Sequence, residues 1–268
     1  MGGSADGDPA GLDYRVVNRA GWDFQAGAVP APADEPPAET LAHARALLDP
    51  FGWIPWRAVA TVLCLASAGG QQAPLFAALG CEVTSLDLSP LQLAKDADVC
   101  GRRGLAIRCV EGDMLDLSPL GDATFDLVYQ QVSACYVPEV APLYGQVAEH
   151  LRPGGRYLVQ HWNPVHLQLG DPPVGDGAYR LVRPQRPAGP IPWMAPGEHG
   201  PIPASLCWHY IHPLDDLIGG LTRTGFTIER FAELGAGDPD AEPGSDEHRA
   251  AYLPPYFLIL ARKTPSRS

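Results

Sequence analysis

Asp87 in VTSLDLSP and Asp113 in VEGDMLDL each stand at the end of an apolar run, and a run of small residues, LASAGGQQ, closes another. An acid about 20 residues beyond such a small-residue loop can accept both hydroxyl hydrogens of a ribose. At the next rim Asp113 is suited to accept from the exocyclic amine of a purine while Met114 packs on the ring. Small side chains at 66–70 let a ligand approach the backbone and leave the amides after them open. Each feature has a plainer reading by itself, an Ala-Gly turn or a helix N-cap. Three of them at neighbouring rims point together to a bound nucleoside. His161 carries an imidazole that titrates near neutrality and is the candidate general base, with a hydrogen-bonded structural histidine as the alternative. His209 and His212 flank Tyr210 and either face the same pocket or belong to the next element.

These rims require a sheet to carry them. Strand-length apolar runs occur at 60–66, 81–88, 105–113, 125–131 and 155–162, and all but the last are followed by a helical pattern. That alternation predicts a doubly wound α/β fold with a mostly parallel sheet. Before it, residues 1–38 are rich in Gly, Pro, Ala and Asp, interrupted by DYRVVNRAGWDF, which reads as a short helix able to fold over something else. A helix is expected from about Glu39 to Pro50. After the fifth strand, ten of the 29 prolines fall within 40 residues, together with Trp193 and Met194. This stretch, extending to residue 212, reads as an insertion that caps the pocket. LDDLIGGLTRTG then reads as a helix closed by Gly225, and FTIERFAEL and PYFLILARK as an antiparallel pair joined by a solvated acidic loop at 235–254. Residues 265–268 form a tail.

Composition narrows the partners. Nineteen basic and 31 acidic residues among 268 give a net charge of −12, which opposes binding to nucleic acid and to anionic membranes. Six cysteines without a CxxC pair predict reduced thiols, no thiolate metal site and a cytoplasmic protein. No apolar run reaches about 18 residues and no signal peptide is legible.

VLCLASAGGQQ, VTSLDLSP, VEGDMLDL, FDLVYQQVSACYVPE and LRPGGRYLVQ, in this order, resemble the class I S-adenosylmethionine-dependent methyltransferases. The resemblance covers roughly 40–163 and 213–264, with the LRPGG turn its most distinctive part. It implies a seven-stranded sheet in the order 3-2-1-4-5-7-6 with the last strand antiparallel, and a binding core formed by 39–163 and 213–264. It further implies S-adenosyl-L-methionine as cofactor, S-adenosyl-L-homocysteine as product, and the subgroup that alkylates small molecules. The cofactor residues so implied are Ala66, Ser67, Ala68, Gly69, Gly70, Asp87, Leu88, Gly112, Asp113, Met114 and Gln130. The acceptor would meet Ser133, Tyr136, His161 and Trp162 above strands four and five, with Gln131 and Asn163 nearby. Lid aromatics Tyr14, Trp22, Trp193 and Trp208, and His209, would complete that pocket.

Where the family's loop reads acidic-x-Gly-x-Gly-x-Gly, this chain has Cys64, Ala66, Ala68 and Gly70. Alanine is tolerable there if φ stays negative. Without the acid, another group, such as the Ala66 carbonyl with water, must hold the cofactor's ammonium end. The expected activity is O- or N-methylation of a small, partly apolar molecule. A chain that keeps the fold but has lost methyl transfer is the alternative. A dinucleotide-dependent oxidoreductase would need the final glycine of G-x-G-x-x-G, which is absent.

Overall fold

The apolar run TVLCL forms β1 (Thr61–Leu65), buried at every position but its first, because strands flank it on both sides and helices cover both of its faces. The structure, a computed structural model, describes residues 12–28, 44–170, 178–186, 189–192 and 207–264. In chain order it contains α1 (Tyr14–Ala28), α2 (Ala44–Leu48), β1, α3 (Ala73–Ala78), β2 (Glu82–Asp87), α4 (Pro90–Arg102), β3 (Arg108–Glu111) and β4 (Phe125–Gln130). There follow α5 (Val140–His150), β5 (Leu151–Trp162), α6 (Pro164–Gln168), β6 (Ile191–Pro192), β7 (Trp208–His209), α7 (Leu214–Arg223), β8 (Phe226–Leu234), α8 (Asp246–Tyr252) and β9 (Tyr256–Lys263).

Seven strands pair in the order β3-β2-β1-β4-β5-β9-β8. The first five are mutually parallel, and β9 runs antiparallel to both β5 and β8. This is the order expected from the sequence. Alternation along each strand divides the core into two layers. Leu63, Leu65, Val128, Tyr157, Val159 and Ile259 face one side, under Leu143, Tyr144 and Val147 of α5 and Leu217 and Leu221 of α7. Val62, Cys64, Leu127, Tyr129, Leu158 and Leu260 face the other, under Ala73 and Phe76 of α3. The sheet is thus held from both sides, and its carboxyl-end rim is left as the place for a site.

Helix ends follow local chemistry. Ser89 caps α4 by accepting from the Gln92 amide, with Pro90 at the first helical position. Asp215 and Asp216 lie in the first turn of α7, Arg223 in its last, and Gly225 leaves it at φ +86°.

Three local details differ from the sequence reading. LRPGG is drawn into the start of β5, where the pairing with β4 jumps from Phe125↔Leu151 to Leu127↔Arg156 and Gly154 takes φ +78°. The expected acidic loop contains α8, which Ser245 caps by accepting from the His248 amide. The proline-rich stretch opens with α6, since a proline at the first helical position gives up no hydrogen bond. Of the expected cap at 164–212, residues 171–177, 187–188 and 193–206 lie outside the described residues, as do 1–11, 29–43 and 265–268. Among the described residues no helix is long and apolar enough to cross a membrane, and no cluster of potential metal ligands occurs.

Candidate functional site

The loop after β1 turns sharply, with Ala66, Ala68, Gly69 and Gly70 at φ +51°, +57°, +57° and +90°. The condition set for alanine at 66 and 68, a negative φ, is therefore not met. Their Cβ atoms are accepted at a cost because polar contacts hold the turn on both sides. Ala66 N donates to Leu86 O at 2.8 Å. From beneath, Asp96 of α4 accepts from Gly70 N at 2.5 Å, from Ser85 Oγ at 2.7 Å and from Ser67 Oγ. Asp96 is fully buried, and burial raises its pKa while the Ser67, Ser85 and Gly70 donors oppose that rise. Sequence reasoning missed this residue. The available signal was an acid on the apolar face of α4, in line with Leu93, Val99 and Cys100, which are also buried.

Asp87 ends β2 almost wholly buried, one of its carboxylate oxygens accepting from Ser89 N at 2.8 Å. Burial pushes its pKa up to about 7, against the Ser89 amide, which lowers it. Asp113 follows β3 with Oδ1 accepting from Leu115 N at 3.0 Å. A cavity of about 140 Å³ joins these two acids to Ala66, Ala68, Leu88, Gly112 and Met114. It continues past Gln71 and Gln72 to Gln131, Val132, Ser133, Tyr136 and Val137. Its course therefore crosses the rims of β3, β2, β1 and β4 in sheet order.

α1 forms the roof. Tyr14 and Trp22 line the cavity, and Tyr14 Oη donates to Asp113 Oδ2. Burial and the Asp113 carboxylate raise the Tyr14 pKa, so its phenol stays protonated. Asn18 is buried and pins the helix, donating to Tyr136 O at 3.0 Å and accepting from Trp208 N at 2.7 Å. Ser89 Oγ donates to Asp23 at 2.5 Å, and Gln92 Nε2 donates to Gln25 Oε1 at 2.6 Å. Arg19 and Glu111 pair at 2.6 Å in an exposed contact that contributes little.

The remaining expected site residues divide. Ser67 and Gly70 serve the loop from beneath, while Gly69 packs against Gln92, whose side chain would collide with any Cβ there. Gln130 is buried and braces the site from below, donating to Ser133 Oγ at 2.8 Å and to Met114 Sδ at 3.4 Å while Tyr157 Oη donates to it. His161 does not reach the cavity, and its expected role as base is corrected. β5 runs on through Trp162, so His161 is an interior strand residue paired with Phe257. It lies 3.3 Å from Tyr144 Oη, and burial followed by the His212 charge pushes its pKa down to about 3. Trp162 packs on Tyr256 at 4.4 Å between ring centroids, and His209 on Tyr136 at 5.1 Å; neither lines the cavity. Trp208 reaches α1 through its backbone. His212 Nε2 donates to Val137 O at 3.0 Å and Ala134 O at 3.2 Å. Trp193 lies outside the described residues.

Comparison with known proteins bears on this geometry. A family model described as a methyltransferase domain matches residues 63–159. An uncharacterized methyltransferase of Bacillus subtilis, YbaJ, is 33% identical over 184 residues, which are 69% of this chain and 72% of that protein. Sterol 24-C-methyltransferase of Eremothecium gossypii is 28% identical over 190 residues, 58% of this chain but only 48% of that enzyme. Among solved structures, the CcbJ methyltransferase of Streptomyces caelestis superposes with TM-score 0.59 at 19% identity, over 95% of this chain and 100% of that one. An S-adenosylmethionine-dependent methyltransferase of Mesorhizobium loti does so with TM-score 0.56 at 23% identity, over 84% and 98%. At these identities the two structures speak for the fold.

Proposed function

We propose, from the premise that this chain belongs to the class I S-adenosylmethionine-dependent methyltransferases, that it methylates nitrogen or oxygen on a small, partly apolar molecule. The observation that carries this reading is the single cavity across four strand rims, acidic at the β2 and β3 end and roofed by the aromatic residues of α1. A helix pinned over the rim supports a small acceptor beneath it rather than a folded protein or duplex.

S-adenosyl-L-methionine is the cofactor, and when bound it supplies an electrophilic methyl group on a positively charged sulfur. The side chains present fit it. Asp87 is a buried acceptor for the ribose hydroxyls. Leu88 and Met114 provide apolar walls beside Asp113 for a purine. One further buried acceptor, Gln72 Oε1, has no hydrogen-bond partner among the described residues and belongs to a side chain that lines the cavity.

For transfer, the chain's own contribution is alignment and exclusion of water. Tyr14, Trp22 and Asn18 close the cavity from above, while Val132, Tyr136 and Val137 give its acceptor end an apolar surface. Among the described residues lining it, no histidine, lysine, glutamate or cysteine is available to take a proton. With Asp87 and Asp113 at the opposite end, such a lining suits a nucleophile that arrives deprotonated or passes its proton to solvent, as an amine or an acidic hydroxyl does. The sterol enzyme shares about half its length with this chain, which supports the donor side of the reading and leaves the acceptor to the cavity. Six free cysteines, four of them buried, support action in a reducing cytoplasm.

A second reading, a chain that binds the cofactor without transferring methyl, draws support from the Tyr14 phenol already seated on Asp113. One assay separates the two. Purified protein is incubated with S-adenosyl-L-methionine and panels of amines, phenols and carboxylates, and S-adenosyl-L-homocysteine is quantified. Acceptor-dependent product supports transfer; none across the panels, with cofactor binding intact, supports the second reading.

A further inference from the structure

Cys64 stands where the family carries the acid that holds the ammonium end of the cofactor, and its side chain cannot replace that acid. It is completely buried among Ala73, Phe76 and Tyr129, and it does not line the cavity. Of the two acids that do, Asp87 ends β2 and Asp113 follows β3. A ligand with its nucleoside at those rims brings its amino-acid end to the rims of β1 and β4. The polar side chains there include the amides of Gln71, Gln72 and Gln131.

Gln72 directly follows the loop, is 6% exposed and lines the cavity. Its Nε2 donates to Gln131 Oε1 at 3.3 Å, and Gln131 Nε2 in turn donates to Tyr129 Oη at 2.6 Å. Tyr129 is the β4 register partner of Cys64. The relay begins beside the missing acid and orients Gln72 with its amide nitrogen turned to Gln131. Gln72 Oε1 is then left buried and without a hydrogen-bond partner among the described residues. A buried carbonyl oxygen that lacks a donor is costly unless a ligand provides one.

We propose that Gln72, oriented by Gln131 and Tyr129, accepts a hydrogen bond from the ammonium group of the cofactor's methionyl end and so takes over the task of the acid absent at residue 64. This rests on the reading of the cavity as the cofactor site. A neutral amide recognises the ammonium by a charge-assisted hydrogen bond.

The test is calorimetric titration of the full chain with S-adenosyl-L-homocysteine and with its analogue lacking the α-amino group, the variants first checked for an unchanged thermal transition. Gln72→Leu is expected to bind S-adenosyl-L-homocysteine roughly ten- to hundredfold more weakly while matching the wild type on the deaminated analogue. Gln72→Glu, nearly isosteric and acidic, is expected to restore binding of S-adenosyl-L-homocysteine. Equal losses on both ligands in Gln72→Leu would show that the side chain only shapes the loop and would overturn the proposal. Weakening by Gln72→Glu that vanishes with an analogue lacking the carboxylate would also overturn it, since the amide nitrogen would then be what meets the ligand. Failure of the wild type to bind either nucleoside would instead sink the cofactor reading itself.

Discussion

The carboxylate of Asp96, in the middle of α4, accepts the amide of Gly70 in the loop after β1 at 2.5 Å. With Ser67 and Ser85 on its other oxygen, one buried acid ties that loop to both β2 and α4. Asp96→Ala leaves the Gly70 amide and one of the two serine hydroxyls, which lie 2.8 Å apart and can pair with each other, without an acceptor, and is expected to lower the free energy of unfolding by about 3 kcal/mol. Asp96→Asn keeps an acceptor for Gly70, and both serine hydroxyls can rotate to accept from its amide. It should lose less than half as much. Denaturant unfolding of the two variants measures this, and wild-type stability in Asp96→Ala would mean that the loop holds its own shape.

Ala66 and Ala68 occupy left-handed backbone that disfavours a Cβ. Ala66→Gly and Ala68→Gly relieve that strain but add unfolded-state entropy, for an expected net gain of about 0.5–1 kcal/mol each. Chemical denaturation is the check. A loss of stability in both would show that the loop relaxes around its methyl groups.

Asp87 links both stability and binding to pH. Its pKa, pushed up to about 7 by burial, exceeds the value of about 3.9 in an unfolded chain, so between these limits the folded state holds more protons. Its contribution to stability is accordingly full below about pH 4, declines as pH rises and is gone above about pH 7. Binding runs the other way. Ribose hydroxyls need the ionised acceptor, so affinity for S-adenosyl-L-homocysteine should climb up to about tenfold per unit toward pH 7 and then level off. Asp87→Asn should flatten this profile. Asp87→Ala should weaken binding by about 1.5–3 kcal/mol, and titrations from pH 5.5 to 8.5 read out both effects.

His161 faces Tyr144 and Phe257 within the core rather than the cavity. His161→Gln is expected to keep the transfer rate within about twofold of the wild type once folded, with any cost appearing in stability. A selective collapse of turnover with cofactor affinity and thermal transition unchanged would restore it as a catalytic group.

Periodicity and punctuation made the sheet legible. Five apolar runs separated by helical patterns, and two final runs joined through an acidic stretch, specify parallel strands and an antiparallel close because each signal is local. Asp87 and Asp113 were legible for the same reason, since a residue at the end of a strand lies at the rim whatever surrounds it. Tertiary packing decided the rest. Alternation along β5 tells which residues share a face with His161 but not that Tyr144 and Phe257 cover that face, so an apparent rim histidine is an interior one. The destination of α1, the positive φ of Ala66 and Ala68, and the tie from Asp96 to Gly70 join residues far apart in the chain. Such contacts follow from how the layers meet, and no spacing within one segment encodes them.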